Sequence, residues 1–189
     1  MTRQPPRLIR STVVDLPVVE ASGVAARLID SRVVVLIVGD RTADVAAGTY
    51  DGNNGFTDWR TFDLSALDGW PSQNQASQFE AMAVDGRSLV ALMREDPAAV
   101  LVVDTVVREL RAQIRLLAPP DSPLHGMWDD ASSRGEGLVL LRGGRLLVAK
   151  EKRPRALVEF GPAGSTARGL SKDDFLAPDE AWEAPAGDV

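Results

Sequence analysis

The chain has 189 residues, 44% of them apolar and 25% charged, which is ordinary composition for a globular protein. Lys and Arg number 21 against 27 Asp and Glu, and the resulting net charge of -6 argues against nucleic acid or an anionic membrane as partner. Cysteine is absent and His125 is the single histidine, so disulfides, thiolate chemistry and multi-histidine metal sites are excluded.

Near the start, Arg3 and Arg7 are basic, but residues 8–16 are interrupted by Arg10, Ser11, Thr12 and Asp15 and do not form a secretory leader. Alternation of Leu8, Arg10, Thr12 and Val14 predicts an outer strand over 7–16 that belongs to a neighbouring unit. The longest apolar run, residues 33–38, reads as a buried strand and is far too short to span a bilayer. The expectation is a soluble cytoplasmic protein with no membrane partner.

Three stretches share one pattern. Ser22-Gly23-Val24-Ala25 precedes an apolar strand that ends in Gly39-Asp40-Arg41. Glu80-Ala81-Met82-Ala83 precedes one that ends in Arg94-Glu95-Asp96-Pro97, and Glu136-Gly137-Leu138-Val139 one that ends in Lys150-Glu151-Lys152-Arg153-Pro154. The period is roughly 56 residues, the length of a small supersecondary unit. Within each unit the elements read as strands. Asp85-Gly86 and Gly143-Gly144 suit tight hairpin turns, and Pro97 and Pro154 end the second strand because proline donates nothing to a ladder. Residues 106–117 fit either an outer strand over 111–117 or a helix.

Four short strands at such a period predict an all-β chain of β-propeller blades, each of four antiparallel strands. The units are expected at about 20–65, 78–118 and 134–165, so residues 1–165 form a partial propeller and 166–189 an acidic linker or tail. That tail holds six acids against one Lys from 171 on. A small residue after Ser22, Glu80 and Glu136 suits the crowding of inner strands near an axis. Three repeats make half of a six-bladed ring, so either the sequence is truncated or a homodimer completes the ring. A plain antiparallel sandwich is the competing architecture.

The third unit, Glu136-Gly137-Leu138 with residues 148–157, and the second, Glu80-Ala81-Met82-Ala83 with Arg94-Glu95-Asp96-Pro97, resemble the phytase-like, esterase-like and SdiA-regulated group of bacterial β-propellers. The resemblance covers about residues 20–165. It implies a six-bladed or similar ring and, for the phytases of the group, calcium ions held by carboxylates at the end of the central channel. Lys or Arg beside those ions bind phosphate esters, and a calcium-activated water attacks.

Repetition places Glu80 and Glu136 just before inner strands, and Asp40, Glu95 and Glu151 at the ends of second strands. Such carboxylates suit Ca²⁺, which takes six to eight oxygens. Glu80, Glu136, Glu95 and Glu151 are therefore the candidate metal ligands, and Arg94, Lys150 and Lys152 the candidate grips on a small anionic substrate. Arg41 and Arg153 lie beside them. The competing role for the repeated Glu is structural, capping strand amides or pairing with basic neighbours. Ser22 departs from the pattern and leaves an acidic ring incomplete. The activity that the resemblance implies, with these residues as its candidate site, is a calcium-dependent phosphoester hydrolase; the alternative is a non-catalytic propeller that binds a small molecule or a protein.

The remaining motifs read as structure. Asp51-Gly52-Asn53-Asn54-Gly55 with Asp58 spaces oxygens like a calcium loop but lacks the bidentate Glu of an EF-hand, and Asn-Gly is a common turn. His125 sits in a linker, where a general base at a pocket rim competes with an ordinary loop residue. Gly161-Pro162-Ala163-Gly164-Ser165-Thr166 lacks the Lys of a phosphate loop, and no serine lies in a nucleophile elbow. Trp59, Trp70, Trp128 and Trp182 are expected as packing wedges.

Overall fold

A computed structural model describes residues 13–52, 55–71, 78–86, 88–118, 124–128, 134–142, 144–152, 155–162, 175–176 and 181–183. Among the described residues, eleven antiparallel strands form three sheets, and two short further strands add to them. The first holds β1 (Ala21–Ile29), β2 (Arg32–Gly39), β3 (Asp44–Tyr50) and β4 (Phe56–Asp63), each paired with the next. The second holds β5 (Phe79–Asp85), β6 (Leu89–Arg94), β7 (Ala99–Asp104) and β8 (Glu109–Leu117), and the third β9 (Arg134–Leu141), β10 (Arg145–Lys150) and β11 (Ala156–Pro162).

The hairpins turn where the sequence allows a left-handed backbone. Gly86 (φ 59°) and Gly144 (φ 74°) provide it at no steric cost, whereas the first hairpin uses Asp30 (φ 47°) and Ser31 (φ 64°). Residues 106–117 contain no helix: residues 109–115 alternate exposed and half-buried side chains, the period of a half-solvated strand, and form β8.

The middle sheet is covered on both faces, which explains why its strands read as nearly unbroken apolar runs. Met82, Val90, Leu92 and Leu101 meet Leu36, Val38 and Val45 of the first sheet. The alternate residues Ala81, Ala91, Met93 and Val100 meet Leu146, Val148, Val158 and Phe160 of the third. Each fully buried side chain of Val, Leu, Met or Phe size contributes about 1.5–3 kcal/mol. Connections add wedges. Trp70 meets Phe79 edge-on with ring centroids 5.9 Å apart. Trp128 ends a single-turn helix, α1 (Leu124–Trp128), packs 4.8 Å from Phe160 and donates its indole N–H to Leu116 O at 3.0 Å.

Two further strands lie in the segment expected as an acidic tail. β12 (Phe175–Leu176) runs parallel to β8 and antiparallel to β11, and β13 (Ala181–Glu183) pairs with residues 156–158 of β11. The third sheet thus gains a short outer strand that acidic composition had concealed. Of the outer strand expected over 7–16, residues 7–12 lie outside the described residues, and 13–16 are not in a strand. Among the described residues no helix is long and apolar enough to cross a membrane.

Candidate functional site

The first strands of the three sheets converge: β1 lies against β5, β5 against β9, and β1 also reaches β9. Each begins with a ladder irregularity. Ser22 is the extra residue between Ala21 and Gly23, Glu80 the extra residue between Phe79 and Ala81, and Gly135 and Glu136 fall between the paired Arg134 and Gly137. A bulge turns a side chain out of strict alternation, so three sequence positions that match by period also match by backbone defect.

Gly23, after the first irregularity, and Gly135, within the third, stand where neighbouring strands come close. A Cβ on Gly23 would lie 2.8 Å from Val38 Cγ1 and 3.0 Å from the backbone of Ala81. Gly135 has φ +94°, and a Cβ there would meet Met93 Cγ at 2.6 Å. At Gly23 and Gly135 neighbouring strands therefore come too close for a side chain. Ser22 stands where the other units carry Glu, and its hydroxyl donates to Phe79 O, tying β1 to β5.

Backbone bonds lace the same end of the molecule. Asp40 N–H donates to Glu20 O at 3.0 Å, Gln78 N–H to Asp40 O at 2.9 Å, and Glu95 N–H to Gln78 O at 2.9 Å. Arg134 then donates its backbone N–H to the Glu95 carboxylate. Asp40, Glu95, Glu136 and Glu151 all lie near enough to Glu80 to repel its charge. Burial, followed by repulsion from Asp40, Glu136, Glu95 and Glu151, pushes the Glu80 carboxyl up to about 7. Glu95 is raised by burial and by Glu136, against the opposing Arg134 N–H. Glu136 is raised by burial and by Glu151, with Lys152 opposing. Glu151 is held low by its hydrogen bond to Lys152.

Beside this group lies an open cleft of about 330 Å³, whose lining includes the polar Ser22, Glu80 and Glu136 and the apolar Val24, Val139 and Leu157. The donor chemistry is right for a hard cation. Among the described residues no group of three or more Asp, Glu or His side chains is placed to hold a metal ion.

The candidate anion grips have other engagements. Arg94 is buried at the end of β6 and its Nε donates to Pro97 O at 3.4 Å. Lys150, buried at the matching end of β10, donates from Nζ to Lys152 O. Both cations brace the turn that follows their strand. Lys152 is half-exposed and pairs with Glu151 at 2.9 Å, while Arg41 pairs with Glu20 at 2.7 Å. Arg153 lies outside the described residues. His125, on α1, sits with Nδ1 3.2 Å from Ala118 O. The Asp51–Gly55 segment is a turn, with Asp51 N–H donating to Gly55 O at 3.1 Å; Asn53 and Asn54 lie outside the described residues.

Arg134 is a cation beside this group that motif spacing passes over. Its guanidinium pairs with Asp96 at 3.1 Å and stands 5.9 Å over the Trp128 ring. A lone cation two residues before Glu136 is its visible signal in the sequence. Compared with known proteins, the chain matches no family model and no curated sequence.

Proposed function

We propose that the chain is a β-propeller-type binding module of three blades, and that its acidic mouth receives a positively charged group, an ammonium or guanidinium, of a small molecule or protein partner. The observation that carries this reading is the group of five carboxylates from three sheets, in which Glu80 is pushed up to about 7 by burial and by the other four. An incoming cation relieves that repulsion and is favoured by it. Blade-like repetition is supported by the matched bulges at Ser22, Glu80 and Glu136, by the converging first strands and by the likeness to phytase-like propellers. A non-catalytic role is supported by the engagements of Arg94 and Lys150, which leave Lys152 as the exposed cation among the three candidate grips.

The second reading is the calcium-dependent phosphoester hydrolase. The raised carboxyls of Glu80, Glu95 and Glu136 favour it, since a divalent cation would neutralise the same charge. Among the described residues no group of three or more carboxylates or His is placed around one point.

Calorimetric titration with spermidine and, separately, with CaCl₂ tests both readings when paired with a phosphoester turnover assay. Spermidine binding that is lost in Glu80→Gln/Glu136→Gln, without turnover, is expected. Calcium-dependent turnover lost in the same variant would establish the hydrolase instead, and no binding of either cation would refute the acidic mouth as a site.

A further inference from the structure

The three sheets pack by one repeated register. Ala81, Ala91, Met93 and Val100 form the face of the middle sheet that meets the third. Their ladder counterparts in the third sheet, Gly137, Leu147, Ala149 and Leu157, lie on its opposite, outer face. Likewise, Met82, Val84 and Val90 help form the middle-sheet face that meets the first sheet. Their counterparts Val24, Ala26 and Val35 lie on the outer face of the first sheet. The chain therefore makes one type of interface twice internally, and among the described residues the two complementary faces of that type on the first and third sheets have no partner sheet.

Both halves are apolar and open. On the first sheet Val24 is 66% and Leu28 69% exposed. Beside them Tyr50, Phe56 and Trp59 form an aromatic row with centroids 5.2 and 5.7 Å apart. On the third sheet Val139 is 51% and Leu157 38% exposed. Large exposed apolar faces mark interaction surfaces. The acidic cleft borders both, because Val24 of the first sheet and Val139 and Leu157 of the third are among its lining residues.

We propose that the occupant is a second copy of this chain. The outer face of its third sheet seats on the outer face of the first sheet here, and the reciprocal contact closes a two-fold ring. A contact between unlike faces forms either a closed ring or an open filament. Propellers close with about 4 to 8 sheets; two copies of three sheets fall in that range and three copies exceed it. The inference rests on the propeller reading, and it deepens that reading. The cleft is walled by first strands on one side, and the second copy brings its own Ser22, Glu80 and Glu136 to the opposite side, completing the mouth.

Light scattering on a size-exclusion column, with the full chain, tests this. The wild type is expected at twice 20.3 kDa. The variants Val24→Lys/Leu28→Lys and Val139→Lys/Leu157→Lys are each expected at half the wild-type mass, because every contact uses one face of each kind. Their circular dichroism should match the wild type, since all four side chains are solvent-exposed. A monomeric wild type overturns the proposal, as does an open ladder of masses or either variant remaining dimeric. Glu80→Gln lies in the cleft and off both faces, so it keeps the dimer. Loss of cation binding in Glu80→Gln and loss of mass in the surface variants therefore fail independently.

Discussion

Replacing Glu80 with Gln removes one charge from a crowded acidic mouth while keeping nearly the same shape, and the effect on stability should change with pH. The ordinary Glu value is 4.5, and in the folded protein Glu80 is pushed up to about 7. Below the lower value both folded and unfolded chains carry the proton, so Glu80 makes no difference between them. Between the two values the unfolded chain has released its proton while the folded one retains it, and wild-type stability falls as pH rises. Above the higher value the whole penalty is present. One pH unit is about 1.4 kcal/mol, so a dry interior would give roughly 3 kcal/mol. Glu80 is only part-buried, and solvent screening reduces this to about 1–2 kcal/mol. For a chain of this size that corresponds to a Tm higher by roughly 2–8 °C for Glu80→Gln at pH 8, shrinking towards nothing below pH 4.5. Thermal melts of both proteins from pH 4 to pH 8 measure it. A Glu80→Gln protein that melts lower at pH 8, or a difference that does not change with pH, would refute the reasoning. Glu80 would then be a hydrogen-bonded strut rather than a repelled charge.

Other substitutions probe the frame. Gly23→Leu should cost about 1–3 kcal/mol, because its Cβ alone meets Val38 Cγ1 at 2.8 Å and the Ala81 backbone at 3.0 Å; urea denaturation reads it, and an unchanged midpoint would mean that β1 and β5 are not in close contact. Phe160→Ala should cost about 3–5 kcal/mol by emptying the space under Trp128, measured in the same way. Arg94→Met and Lys150→Met should each lower the melting temperature and leave the affinity for inorganic phosphate unchanged, since both cations are buried against backbone carbonyls. A large loss of phosphate affinity without loss of stability would restore them as anion grips.

Much of the fold was legible because its signals are local. Hairpin glycines at 86 and 144, the apolar runs of β6 and β7 and the repeated small residue after Ser22, Glu80 and Glu136 each carry their own physical reason. Elements with weak local signals were not legible. β13 is three residues within an acidic stretch and exists through pairing with β11. α1 is a single turn whose end is fixed by Trp128 packing on Phe160. For the site, period alone grouped the acids, and the structure places their charges together. Whether a cation next to them faces solvent is a tertiary matter. Arg94 and Lys150 look like substrate grips in sequence, yet both turn inward to carbonyls of the loops that follow. Ser22 looked like a missing acid, yet its hydroxyl supplies the tie between β1 and β5.

Everything proposed for the mouth requires that it gather carboxylates from all three sheets. Carbon-detected NMR titration of the glutamate side-chain carboxyls, with Glu80 assigned through Glu80→Gln, reads this at the atom concerned. The predicted result is a Glu80 midpoint near 7 that moves down in Glu136→Gln, as one repelling neighbour is removed. A midpoint near the ordinary value of 4.5, indifferent to Glu136, would contradict it.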